Sequence, residues 1–160
     1  MAEKELTRLK KHKFIPYINT GTHEAPVWAR IGKSTIFDLT LNANIVTSDF
    51  IEDEMPTDDV TYYKPTLPQE LQTNQGDDAF DYIYSMFKKL PTGEDVKKEV
   101  LLVFAAKQSP FDAWLTNSSV ILKDLNTVDE KILFDLNINK ITNGTVTIEE
   151  GKPTFTEAAA

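Results

Sequence analysis

The sequence predicts a mainly β domain with one α-helix, an α+β arrangement in which twisted antiparallel sheets form a β-sandwich or half-barrel flanked by that helix. Three observations carry the prediction. Apolar residues alternate through Phe37, Leu39, Leu41, Ala43 and Ile45, with Asp38, Thr40, Asn42 and Asn44 between them, as they do on a strand with one dry face. Three later runs, 96–106, 113–125 and 128–139, are rich in β-branched and apolar residues and read as a meander. Only residues 77–90 repeat apolar side chains at helical steps, with Phe80, Ile83, Tyr84 and Phe87 on one stripe.

Taken in order, residues 1–13 hold five Lys or Arg against two Glu, with only Leu6 and Leu9 to form an apolar edge, so a flexible basic arm is expected. The segment VWARI and then residues 34–46 read as a strand pair. They lead into an acidic, glycine-free connection, 47–65, read as an extended irregular loop. Residues 66–73 read as a strand with Leu67 and Leu71 beside Gln69 on one face and Glu70 and Gln72 on the other, and Pro65 and Pro68 put its start at an edge or bulge. The helix has Asp77 or Asp78 as N-cap, Lys88 and Lys89 at its C-terminal end, and Pro91 with Gly93 to stop it. Asn126 marks the turn within the meander. In the strand that follows, Ile132, Phe134, Leu136 and Ile138 share a face opposed by Lys131, Leu133, Asp135, Asn137 and Asn139. Asn143-Gly144 reads as another turn before a strand at 145–148, and residues 151–160 as a loose C-terminal tail. One domain, 14–150, is expected between arm and tail, which suits a chain of 160 residues.

Charge and composition exclude whole classes of function. With 17 basic and 25 acidic residues the formal balance is −8, the wrong sign for gripping nucleic acid by neutralising phosphates. Cysteine is absent, which removes disulfides and thiolate metal sites, so stability has to come from packing and assembly. The longest apolar run, 100–106, is far short of the roughly 18 residues of a membrane helix, and no apolar signal region opens the chain; a soluble protein made in the cytoplasm is expected.

Several motifs imitate sites without completing them. Gly32-Lys33-Ser34 copies the end of a phosphate-binding loop, but the required earlier glycine is Val27, and the residues that follow alternate like a strand instead of opening a helix. His12 and His23 have no partner at ligand or general-base spacing. Asn117-Ser118-Ser119 and Asn143-Gly144-Thr145 match the glycosylation pattern, yet without a secretory signal they read as turn and strand residues. The acidic group Asp49, Glu52, Asp53, Glu54, Asp58 and Asp59 lacks the central glycine of a calcium loop. No catalytic residue, cofactor or metal is expected, and an enzyme is the least favoured class.

The acidic connection also carries Phe50, Ile51, Met55, Val60, Tyr62 and Tyr63. A solvated charge run needs no such anchors, whereas an interface patch combines aromatic and Met side chains with charge at the rim. Phe50, Ile51, Glu52, Asp53, Glu54, Met55, Tyr62 and Tyr63 are therefore the candidates for a docking loop between copies of the chain.

The ordered phrase KFIPYINTGTHEAPVWARIGKSTIFDLTLN, followed by the acidic connection, YYKPTLPQELQ and GDDAFDYIY, resembles the major tail (tail tube) proteins of long non-contractile-tailed bacteriophages of Gram-positive bacteria, over roughly residues 13–156. The resemblance implies a tail-tube-like fold and hexameric rings whose inner strands make one continuous barrel. It also implies stacking of those rings into a tube that conducts DNA during ejection and sheathes the tape-measure protein during assembly. Its partners would be further copies of itself, the tape-measure protein, the tail terminator and distal tail proteins, and viral DNA passing without sequence-specific contact; no membrane is involved. It would be assembled in the host cytoplasm and reside in the virion tail. The basic arm is an extension on which the resemblance is silent, and no immunoglobulin-like domain follows Glu150, so surface decoration is not expected.

On that reading the bore candidates are Asp38, Asn42, Asn44, Glu70, Gln72, Asp135, Asn137 and Asn139, which lie on strand faces opposite the apolar rows. A wall of carboxylates and amides repels or ignores a polyanion, where Lys and Arg would hold it. Six copies at −8 each carry about −48, so ring stacking should be salt-sensitive and need apolar docking to offset repulsion. Two rivals stand beside this: a tube-forming protein of a contractile secretion or injection system, and a monomeric ligand-binding β-domain whose walls would use Trp28 and Trp114.

Overall fold

The computed structural model describes residues 13–32, 38–52, 54–105 and 110–158. Strand β1 (Phe14–Asn19) takes β2 (Trp28–Arg30) on one edge and β6 (Lys97–Phe104) on the other. The antiparallel order continues through β7 (Phe111–Asn126) and β8 (Lys131–Glu149) to β5 (Thr66–Gln72). The last strand, β9 (Lys152–Glu157), also pairs with β8. At 19 residues β8 is long enough to serve two partners along one edge: β5 covers Lys131 to Asn137, and β9 covers Gly144 to Glu149. Register shifts in β7 at Asn117/Ser118 and Leu122/Asp124 supply the extra twist that such long strands need to coil.

Alternation along these strands produces two cores, one on each face. Ile18, Ala29, Ile31, Leu67, Leu71, Val100, Leu102, Val120, Ile132, Phe134, Leu136 and Ile138 make the larger, covered by α1 (Asp78–Lys89). Ile15, Tyr17, Leu101, Val103, Ala113 and Val146 make the smaller, packed by Trp28, Phe111, Leu115, Ile148 and Phe155. Trp28 of β2 and Pro153 to Phe155 of β9 line one hollow, so the ends of the sheet meet across the smaller core. The molecule is thus mainly β with one helix, its sheet nearly closed as a half-barrel, as the sequence predicts.

The helix begins after Asp77, has Asp78 and Asp81 in its first turn and Lys88 and Lys89 in its last, and so complements its own dipole at both ends. It stops at Leu90, which turns left-handed at φ 49° while its N–H bonds the Met86 carbonyl at 3.1 Å. The buried stripe is Ala79, Ile83 and Met86, rotated from the expected one. Tyr84 stays exposed, stacked between Phe80 and Phe87 at ring separations of 5.8 and 6.2 Å.

Three expectations are corrected. Residues 47–65 are not irregular: β4 (Thr57–Tyr63) returns along β3 (Ala43–Ser48) as a separate two-stranded hairpin. Asn143-Gly144 makes no turn, because both residues lie inside β8. Glycine is needed there for close packing: an added Cβ would meet the Thr156 carbonyl and stand 2.5 Å from the Phe155 ring. The real turn is Glu150-Gly151, with φ of 52° and 78°, whose positive angles match a two-residue hairpin, so most of the presumed tail is strand β9. Of the basic arm, only Lys13 lies within the described residues; its carbonyl accepts from Ala105 N–H at 2.7 Å.

Gly144→Val should prise β9 from β8 and cost about 1–3 kcal/mol, as overpacking does; urea unfolding that matches the parent would contradict this close approach. Burial of Tyr17 pushes its phenol above the ordinary value of 10.0, against a smaller downward pull from Arg30. A raised folded pKa stabilises fully below the unfolded pKa and is lost as pH climbs through the folded one. Stability should therefore fall above pH 10, and Tyr17→Phe should flatten that alkaline limb in pH-dependent unfolding.

Candidate assembly surfaces

The β3–β4 hairpin is a projecting arm. Its six-residue strand spans about 20 Å, and among the described residues its strands pair with each other and not with the main sheet. Its root is braced: Thr40 and Thr66 exchange backbone bonds at 3.0 and 2.8 Å, and Lys64 N–H reaches the Leu41 carbonyl at 3.1 Å. Asn42, left-handed at φ 49°, donates Nδ2 to the Lys64 carbonyl at 3.1 Å and to Thr66 Oγ1 at 3.2 Å. Further out, Asn44 donates to Thr61 Oγ1 at 2.6 Å and Thr47 to Asp58 at 2.7 Å.

Of the fourteen large hydrophobic side chains exposed among the described residues, eight sit on this arm: Ile45, Val46, Phe50, Ile51, Met55, Val60, Tyr62 and Tyr63. Ile45 opposes Val60, while Val46 and Tyr62 sit at alternate positions, so both faces are partly apolar. A lone two-stranded hairpin is marginal in water. An apolar concentration of this kind marks an interaction site. The docking candidates Phe50, Ile51, Glu52, Glu54 and Met55 are gathered at the connection between its strands, with Tyr62 and Tyr63 on β4; Asp53 lies outside the described residues.

The bore candidates divide. Glu70 and Gln72 on β5 and Asp135, Asn137 and Asn139 on β8 share the face turned away from α1, as the register Gln72↔Lys131, Pro68↔Asp135 and Thr66↔Asn137 requires. Asn44 belongs to the separate hairpin and Asp38 to the segment before it, while Asn42, at the hairpin root, reaches the border of that face through its bond to Thr66 Oγ1. Sequence reading missed that the wall is charge-paired: Lys123 Nζ lies 3.0 Å from Asp135, and Lys131 Nζ 3.7 Å from Glu70. Lys131 is legible from alternation, but Lys123 sits at a register shift that alternation does not reveal. Asn139 donates to Ser119 Oγ at 2.9 Å and extends the polar wall onto β7.

At the other end of the same face is a cleft of about 350 Å³ lined by His23, Pro26, Trp28, Glu99, Leu115 and β9. Asn19, buried, fixes its rim: Oδ1 accepts the Gly21 and Val27 N–H groups at 2.8 and 3.0 Å, and Nδ2 donates to the Thr22 carbonyl at 3.1 Å and to Glu99 at 3.3 Å. His23 Nδ1 lies 3.0 Å from Glu99. The cleft is small for a ligand site, and Trp114 is absent from it, packed edge-on against Phe104 at 5.3 Å over the larger core. Among the described residues no three metal-ligating side chains converge, and no helix is long and apolar enough to cross a membrane.

Neither a protein-family model nor a curated protein matches the chain. Eleven chains of solved structures do match. One is described as "Cryo-EM structure of the anti-feeding prophage (AFP) baseplate, 6-fold symmetrised"; it is 11% identical, with a TM-score of 0.49 over 87% of this chain and 97% of that one. At that overlap the likeness carries no argument about what this chain does.

Proposed function

We propose that the chain is a structural protein of a bacteriophage tail, six copies of which join edge to edge into a ring that stacks into the tail tube. The observation that carries the reading is the hairpin arm, which among the described residues holds eight of the fourteen large exposed apolar side chains and pairs with no strand of the main sheet. The sheet adds to it: β5 and β9 stand at sheet borders, where a neighbour's strand can pair. Head-to-tail joining of identical subunits makes a heterologous interface, which closes into a ring when the rotation permits. The sequence phrases quoted above favour the major tail protein of a long, non-contractile tail of a phage of Gram-positive bacteria; a contractile injection tube would use the same ring.

In this assembly the polar wall of β5 and β8 faces the bore. Its acidic groups are matched by Lys123 and Lys131, so the wall is hydrated and near neutral. DNA releases few counterions to such a surface and slides, as does a tape-measure protein during assembly. The product is a virion component built in the host cytoplasm and bounded by terminator and distal tail proteins.

Glu70→Lys with Asp135→Lys would break both pairs and leave four lysines on each wall segment. Tubes of this variant should retain duplex DNA with steeply salt-dependent affinity, whereas unchanged DNA release would remove these strands from the bore. Sedimentation of the parent protein over rising concentration tests the larger reading: growth into ring-sized and longer species is expected, and a monomer at every concentration overturns it.

A further inference from the structure

Leu90, Pro91 and Thr92, the residues that end α1, stand between two hollows. One, of about 300 Å³, is lined by these residues with Val96, Val120, Ile121 and Leu122, and is mostly apolar. The other, of about 420 Å³, adds Tyr82, Met86, Lys89 and Lys98. Both lie toward the small end of ligand pockets, roughly 300–1,000 Å³, a size that one or two side chains can fill.

The charge beside them is basic. Lys88 and Lys89 are exposed at the end of α1, and Lys98 lies 5.9 Å over the Tyr82 ring. Lys97 is already paired with Glu94 at 2.9 Å, and Asp95 is the opposing acid in the second hollow. Leu90 is itself 73% exposed, held outward by its left-handed backbone.

The hairpin arm carries the complementary chemistry. Phe50, Ile51 and Met55 are exposed at its end, flanked by Asp49, Glu52 and Glu54. We infer that the hairpin tip of one copy docks into the paired hollows at the C-terminal end of α1 on a second copy, seating its apolar residues beside Leu90 and its carboxylates against Lys88, Lys89 and Lys98. This rests on the tube reading and deepens it by naming the receiving surface. It joins two apolar features that are open among the described residues, and opposite charge sets their alignment.

Because the chain has no cysteine, single thiols can be placed without background. A mass-tagged Ile51→Cys chain is mixed with untagged Leu90→Cys, or with Val128→Cys as control, and oxidised at high concentration. Val128 is on the β7–β8 turn, past Asn126, the end of β7, which itself lies four strand residues, about 13 Å, beyond Leu122. The tagged–untagged disulfide should form several-fold faster with Leu90→Cys. Equal rates with both partners overturn the receiving site. Lys88→Glu with Lys89→Glu should raise the concentration needed for assembly about tenfold, and adding Glu52→Lys with Glu54→Lys should bring it back; no recovery counts against the pairing. Parent tubes seen by microscopy without the preferred cross-link would refute the groove and leave the tube, while absence of any parent assembly would refute the tube itself.

Discussion

Chains carrying Phe50→Ser together with Met55→Ser should fold as the parent does and fail to stack. Both side chains are more than half exposed and belong to neither core cluster, so shortening them removes no packing from the domain. Between copies the outcome reverses. On the tube reading the two side chains anchor an acidic arm against the repulsion of strongly negative subunits, and interface energy is concentrated in a few such apolar groups. Losing both should cost at least several kcal/mol per contact, by roughly 1.5–3 kcal/mol for each large side chain fully buried. Circular dichroism and urea unfolding should match the parent while tubes disappear. Tubes of normal length from this variant would show that the arm does not hold successive rings together.

Phe134→Ala should have the largest effect on the domain itself, a loss of about 3–5 kcal/mol. Phe134 is wholly buried in the larger core, opposite Gln69 on β5 and Leu122 on β7, where it ties the outermost strand and the centre of the sheet to the helix side. Its neighbours on β8, Ile132 and Leu136, are equally enclosed, so the cavity cannot readily collapse. Against a total stability of roughly 5–15 kcal/mol, much of the folded population is at stake. With a urea slope of about 2 kcal/mol/M the midpoint should fall by about 2 M. A shift below about 0.5 M would mean that the side chain is not where the core is held.

The meander and the helix were legible because their signals are internal to each element. Alternation in 131–138 fixes a face whatever its neighbours do, and the Phe80-to-Phe87 spacing fixes a helix. The helix face was less legible: Ala79 and Met86 take the centre because small and flexible residues fit closest to the sheet, while Tyr84 is content to stack outward. The Asn143-Gly144 reading failed because a turn dipeptide and a close-approach glycine look the same until Phe155 is known to cross it.

Alternation through Ala43 and Ile45 predicts one dry face; within one chain both are exposed. On the tube reading the same residues serve a surface between copies, which would account for the disagreement between pattern and burial. Of the bore candidates, the five on β5 and β8 came together because alternation places them. Asn44 did not, because beyond the left-handed Asn42 the strand leaves the main sheet for a separate hairpin.

Electron microscopy of the purified chain at high concentration and moderate salt should show hollow tubes whose end-on views are six-fold rings around an open, stain-filled centre. Dispersed monomers under all these conditions, or solid fibres without a bore, would contradict the tube reading.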